Sequence, residues 1–229
     1  MAKKKGKIRK IVFGTIGIII LFVVILYVNL KIVENTASII SKGQPIKSFS
    51  ERKCALLVID VQECTTGDAS MHTFFKKNSD EMIKNINKIA DSFKIQNYPV
   101  VYIRFEITNP LVNFLNDSYA EGSPGVKFDK RLKIVSEIEI VKQGKDSFRN
   151  TNLDSILVSN KVNELYIVGL DAAECINATV EAAQNRHYRI NLIEEAILSK
   201  SKETKDSMIV NFRQRGAKVI NMDSLKIII

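Results

Sequence analysis

The chain has 229 residues, 45% of them hydrophobic and 26% charged, which is enough apolar matter for one domain with a packed core. Its net charge of +9 is concentrated: six Lys or Arg fall in the first ten positions, and subtracting those six from +9 leaves +3 for everything after them. A basic cluster beside an apolar span reads as a topology signal and an attraction to anionic lipid, so no nucleic-acid partner is expected.

Residues 11–30 carry no charge and, as a helix, reach about 30 Å, the thickness of a bilayer's hydrocarbon core. They are expected to cross the membrane as an anchor. A cleaved signal peptide needs a shorter apolar region and a small-x-small site, and Val33-Glu-Asn-Thr-Ala37 is a poor one. Lys3, Lys4, Lys5, Lys7, Arg9 and Lys10 precede the span and only Lys31 follows closely, which predicts a single-pass protein of the cell membrane with a cytoplasmic N-terminus and its domain outside. Residues 1–10 are then a basic cytoplasmic segment and 11–30 the anchor. Residues 31–51, with Gly43, Pro45, several Ser and no sustained periodicity, are predicted as a linker, and 52–229 as the domain.

Within the domain, strands are predicted over residues 54–61, 99–105, 137–141, 164–169, 189–192 and 217–221. Helical patterns lie between them. Met82, Ile83, Ile86 and Ile89 share a face behind a Ser79 cap; Thr151 caps a helix holding Leu153, Ile156 and Leu157. Residues 174–184 form another helix, and Gly216 suits the C-terminal cap of one starting near Lys202. The stretch Gly122-Ser-Pro-Gly125 is a turn signal, too irregular for a phosphate loop. Strands alternating with helices imply an α/β fold: a parallel, Rossmann-like sheet with helices on both faces, preceded by one transmembrane helix. Functional groups in such a fold lie at the carboxyl ends of strands.

Three residues with chemistry to offer fall there. Asp60 and Lys142 end apolar runs, and Cys175 follows another by a few residues where a helix begins. A thiol at a helix N-terminus is expected to have its pKa drawn below the usual value of about 8.5. Asp60 would accept the Cys175 proton, Lys142 would steady the charges, and the thiolate would attack a carbonyl or imino carbon, giving a covalent intermediate that water releases.

Three segments resemble the isochorismatase-like cysteine hydrolases, relatives of nicotinamidases and N-carbamoylsarcosine amidases. They are Leu56-Leu-Val-Ile-Asp-Val-Gln62, the stretch from Lys142 through Phe148 to Thr151-Asn-Leu153, and Gly169-Leu-Asp-Ala-Ala-Glu-Cys175. The resemblance spans roughly residues 52–224 and implies the Asp60, Lys142, Cys175 triad. It also implies a cis peptide between Leu170 and Asp171, which would aim the backbone N–H groups of Asp171 and Cys175 at a developing oxyanion. Asp171 departs from the small apolar residue usual at its position, so only the backbone role is carried over. Nicotinamidases of the family bind a metal through an Asp-x-His and a further His. Here His72 has no histidine partner nearby, and His187 falls where a left-handed cap belongs, so neither a metal nor nicotinamide is expected, and no cofactor is implied.

Gln62, Cys64, Phe105 and Phe148 are expected to line the pocket, with core packing as the alternative for both Phe residues. The expected function is hydrolysis of an amide or related C–N bond of a small molecule. The alternatives are a binding or sensing domain without turnover, or an isochorismate-type vinyl-ether hydrolase. The only partners expected are a small-molecule substrate and the membrane, and the chain is compatible with a homo-oligomer. Cys54 starts its strand roughly 20 Å from the pocket. If any disulfide forms, it is therefore expected between Cys64 and Cys175, as a redox switch.

Overall fold

Six apolar runs become strands: β1 (Cys54–Ile59), β2 (Val100–Phe105), β3 (Glu139–Lys142), β4 (Glu164–Gly169), β5 (Arg189–Ile197) and β6 (Lys218–Ile220). The structure is a computed structural model describing residues 2–47 and 51–228. The pairings between these six strands are parallel, in the order β3-β2-β1-β4-β5-β6. Parallel neighbours need crossovers, here carried by α2 (Thr73–Ile95), α3 (Pro110–Leu115), α4 (Leu153–Ser159), α5 (Asn177–Asn185) and α6 (Lys202–Gln214), with α7 (Met222–Ile228) closing the chain. β1 and β4 are buried along their whole length because helices cover both faces.

Side-chain alternation splits the core into two layers. Ala55, Leu57 and Ile59 meet Leu153, Leu157, Val180 and Phe212 on one face. Leu56 and Val58 meet Met82, Ile86 and Phe93 on the other. Each fully buried aliphatic or aromatic side chain contributes about 1.5–3 kcal/mol, so these layers outweigh intrinsic helix propensity in holding the fold.

Strand order reverses between β1 and β4, and the crevice at the carboxyl ends of such a pair is where ligands bind in open α/β sheets. β1 and β4 can approach there because β4 ends on glycine. Gly169 has φ +111°, and a Cβ on it would stand 2.1 Å from the Ile59 carbonyl oxygen.

Several boundaries differ from the sequence expectation. α2 begins at Thr73, so Ser79 lies inside it, fully buried, and is not a cap. Phe75 buries one turn earlier and extends the apolar face, while the Ser79 hydroxyl accepts from Arg131 at 3.1 Å. Thr151 sits one residue before the N-cap of α4, and its hydroxyl accepts the Leu153 N–H at 3.3 Å. β5 runs on to Ile197 through Glu194 and Glu195, whose charge hid the continuation. Gly216 and His187 both take left-handed backbone just after helices, with φ of 85° and 65°.

The largest difference is in residues 31–51. Helix α1 (Ala2–Ala37) is continuous through the basic segment, the apolar span and the first residues assigned to the linker. Leu26, Asn29, Val33 and Ala37 form a half-buried stripe on one of its faces, and it packs against α3. Residues 38–46 are irregular, yet they lie against the domain. Ser41 N–H donates to Asp146 Oδ2 at 2.8 Å, Ile46 N–H donates to the Arg186 carbonyl at 2.9 Å, and Ile40 and Ile46 pack on the core. Gly43 permits this path: its φ is +62°, and a Cβ there would stand 2.3 Å from the Arg186 guanidinium. Residues 48–50 of the expected linker lie outside the described residues.

Candidate active site

Asp60 directly follows β1 in left-handed backbone, φ 56°, a conformation that Asp tolerates better than most residues. Its carboxylate is buried. Oδ2 accepts from Lys142 Nζ at 2.8 Å, while Oδ1 is buried without a hydrogen-bond partner. Lys142, the last residue of β3, is 1% exposed and reaches across the end of β2. An ammonium has three protons to donate, and here they meet Asp60 Oδ2, the Gly144 carbonyl at 3.1 Å and Cys175 Sγ at 3.2 Å. Burial by itself would drive the proton off Lys142; the neighbouring Asp60 and Cys175 outweigh it and hold its pKa above the ordinary value.

Cys175 lies in a π-helical turn, Ala172–Ile176, that runs directly into α5. Such turns recur at functional sites. Asp171 caps the turn: its side chain accepts from the Ala173 N–H at 3.0 Å and from the Ser199 hydroxyl, so the carboxylate points into the cap. The Asp171 carbonyl accepts the N–H groups of Glu174 and Ile176, at 3.1 and 3.0 Å, and passes over that of Cys175. The Leu170–Asp171 peptide is cis.

The thiol contradicts one sequence expectation. Its pKa is pushed up to about 12, first by burial and then by the Asp60 carboxylate, with Lys142 opposing. The helix dipole therefore does not leave a thiolate at rest. Deprotonation needs a nearby base, and the Asp60 carboxylate shares Lys142 Nζ with the thiol, at 2.8 and 3.2 Å.

Two residues expected in the pocket belong to the scaffold. Gln62 is fully buried, and its amide is spent on backbone: Nε2 donates to the Phe105 and Val126 carbonyls at 3.0 and 2.9 Å, and Oε1 accepts the Phe105 N–H at 2.8 Å. It ties the loop after β1 to the end of β2. Phe148 is core, 3% exposed, between the Arg186 guanidinium at 4.3 Å and the stacked Tyr188 ring. Phe105 does face the site, with its ring 5.1 Å from Lys142 Nζ. Cys64 is buried beside Tyr119; both it and Cys175 are free thiols, and the conditional bridge between them is not formed. Among the described residues no three His, Cys, Asp or Glu side chains converge as a metal ion requires.

Sequence reasoning missed Tyr119 and one ion pair. Tyr119 packs edge-on to Phe105, with centroids 5.6 Å apart, and its hydroxyl pKa is raised first by burial and then by Cys64, Asp60 and Cys175. Lys145 pairs with Glu174 at 2.6 Å across the rim beside the nucleophile. Tyr119 and Lys145 come from loops, and the only signal for Tyr119 is an aromatic in an otherwise polar stretch.

The family model described as Isochorismatase domain matches residues 54–224. The uncharacterized isochorismatase family protein YddQ of Bacillus subtilis is 26% identical over 156 residues, covering 68% of this chain and 83% of that protein. N-carbamoylsarcosine amidase of an Arthrobacter species is 25% identical over 156 residues, covering 62% of this chain and 58% of its own. Among solved structures, an isochorismatase family protein from Desulfovibrio vulgaris superposes with a TM-score of 0.68 at 19% identity, covering 78% of this chain and 98% of that one, a likeness of fold alone.

Proposed function

The chain belongs to the isochorismatase family and carries its hydrolase fold, and from that premise we propose that it is a membrane-anchored cysteine hydrolase cleaving an amide or related C–N bond of a small molecule. The observation that carries this reading is the divided Asp60 carboxylate: Oδ2 is engaged by Lys142 and Oδ1 is buried with no partner. A buried acceptor without a donor calls for an explanation. Acceptance of the thiol proton supplies one.

In this reaction Asp60 takes the proton from Cys175 as Sγ attacks the carbonyl carbon. The carbonyl electron pair moves to oxygen, and the backbone N–H groups of Asp171 and Cys175 stabilise the oxyanion. Collapse of the adduct breaks the C–N bond, and Asp60 returns the proton to the departing nitrogen. Water, deprotonated by Asp60, then attacks the thioester; the acid leaves and the thiol regains its proton. Lys142 stays charged throughout and offsets the negative charge that passes between Asp60 and Cys175. Two amidases in this fold are consistent with the reading, one at 25% identity and one as a solved structure.

The anchor in this proposal is α1, whose stretch Val12–Ala37 is long and apolar enough to cross a membrane. Incubating the full chain with a panel of small amides, measuring released ammonia or amine, and searching for an acyl adduct on Cys175 by mass spectrometry tests the chemistry. Turnover with an adduct at Cys175 is expected. Equal turnover by Cys175→Ala would overturn it.

A further inference from the structure

The end of α1 walls a groove close to the active site. A groove of about 240 Å³ has Ile32, Val33, Thr36 and Ala37 of α1 along one wall and the segment from Phe105 to Asn109 along the other. Two of its lining residues adjoin the reacting groups: the Phe105 ring lies 5.1 Å from Lys142 Nζ, and Gln143 follows Lys142 in the chain. The α1 wall is fixed to the loop that follows Lys142. Lys145 N–H donates to the Ala37 carbonyl at 2.8 Å, Arg149 donates to the Thr36 carbonyl, and a Cβ on Gly144 would stand 3.1 Å from the Ala37 oxygen.

Height above the bilayer follows from helix geometry. Ala37 lies roughly 10 Å along the axis from Leu30, the last residue of the uncharged run before Lys31. That is the level of the headgroups, where interfacial helices lie with their apolar faces buried by about 5–10 Å. Helix α3 packs against α1 at this end, buries none of its own residues, and leaves Phe114 74% and Leu115 51% exposed. Such exposure is unfavourable in water but natural against lipid.

We propose that this groove is the apolar subsite for the substrate, and that the substrate is an amphipathic primary amide that enters from the membrane interface with its alkyl chain along α1 and its amide at Cys175. The proposal rests on the reading of Cys175 as nucleophile and α1 as anchor. A short soluble amide leaves the groove empty, whereas each methylene that enters it strengthens binding by up to about fourfold.

The test uses the full chain carrying Cys175→Ala in phosphatidylcholine vesicles, with a dodecanamide bearing a photoactivatable diazirine at the end of its chain. Cross-links mapped by mass spectrometry are expected within residues 32–37 and 105–109. Unlabelled dodecanamide should suppress them at least about 100-fold more effectively than butanamide. Val33→Glu, which charges the wall, and Thr36→Trp, which fills the groove without charge, should each reduce the cross-link at least tenfold. Cross-links confined to residues 12–28 and unchanged in both variants would overturn the proposal, as would equal competition by butanamide. Wild-type chain that hydrolyses neither amide would fail the hydrolase reading alone, because the cross-link reports binding without the thiol.

Discussion

Removing the thiol tests the nucleophile more cleanly than removing its neighbours, because Asp60 and Lys142 also stabilise one another in a buried pair. Cys175→Ala should lose all turnover and keep its Tm within a few degrees. Asp60→Asn keeps the shape but not the base, and kcat/KM should fall by about 10²–10⁴. Lys142→Ala differs in kind. It leaves the Asp60 charge buried and unpaired, which costs about 3–5 kcal/mol, so a drop in Tm on the order of 10 °C should accompany the loss of activity. A Lys142→Ala protein as stable as wild type would show that the pair does not hold its charges in the dry site. The raised thiol pKa gives a pH test: with the free-enzyme Cys175 pushed to about 12, the reactive thiolate fraction grows about tenfold per pH unit up to that value. Iodoacetamide labelling of Cys175, followed by mass spectrometry, should therefore climb from pH 7 to 10 without a plateau. A flat profile would mean a thiolate preformed by Lys142 and the helix. The strand-end positions of Asp60 and Lys142 were legible because an apolar run ends abruptly before the first and an alternating one, Glu137-Ile-Glu-Ile-Val141, before the second. The protonation state of Cys175 was not, since burial beside a carboxylate is a tertiary property that overrides the local dipole.

At the scale of elements, the pairing of β1 with β4 decides whether Asp60 and Cys175 meet at all. Gly169 is the tightest point of that pairing, and its substitution is predicted to be far more costly than its small size suggests. Gly169→Ala places a methyl 2.1 Å from the Ile59 carbonyl at a φ of +111°. Strain of this kind joins the short list of causes of losses above about 4 kcal/mol. Urea titration followed by circular dichroism should show a clear fall in midpoint, and activity should fall with it as β4 moves away from β1. Wild-type stability in this variant would mean that the strands part without penalty. All six strands were legible from apolar runs of suitable length, and helix faces such as Met82, Ile83, Ile86 and Ile89 from their spacing. What escaped were element ends: the first turn of α2, the extension of β5 through two glutamates, and the π-turn that carries Cys175. Each is set by what packs against it. Ser79 reads as a cap only until Phe75 is seen to be buried.

For the whole molecule, the docking of residues 36–46 bears on whether the apolar helix stays attached. Cleavage after Ala37 would separate the acceptors for Arg149 and Lys145 from the domain, since those groups bond to the Thr36 and Ala37 carbonyls. It would also remove one wall of the groove beside Phe105. The segment reads as a linker in sequence because Gly, Pro and Ser break any periodicity, but absence of periodicity reports only that the chain is irregular. Backbone groups bonded to Asp146 and Arg186 order it without regular structure. The protein purified from membranes should therefore retain its N-terminal helix, and its intact mass should include residues before 38. The charge asymmetry around residues 11–30, with six basic residues before the span and Lys31 close after it, predicts that the site faces outside. Protease added to intact cells should digest the domain while the N-terminal segment stays protected, and the same pattern should appear in sealed right-side-out vesicles. Digestion only after lysis would place the domain in the cytoplasm and reverse the orientation. That result would leave the geometry of Asp60, Lys142 and Cys175 untouched, but it would change the leaflet from which an amphipathic amide reaches them.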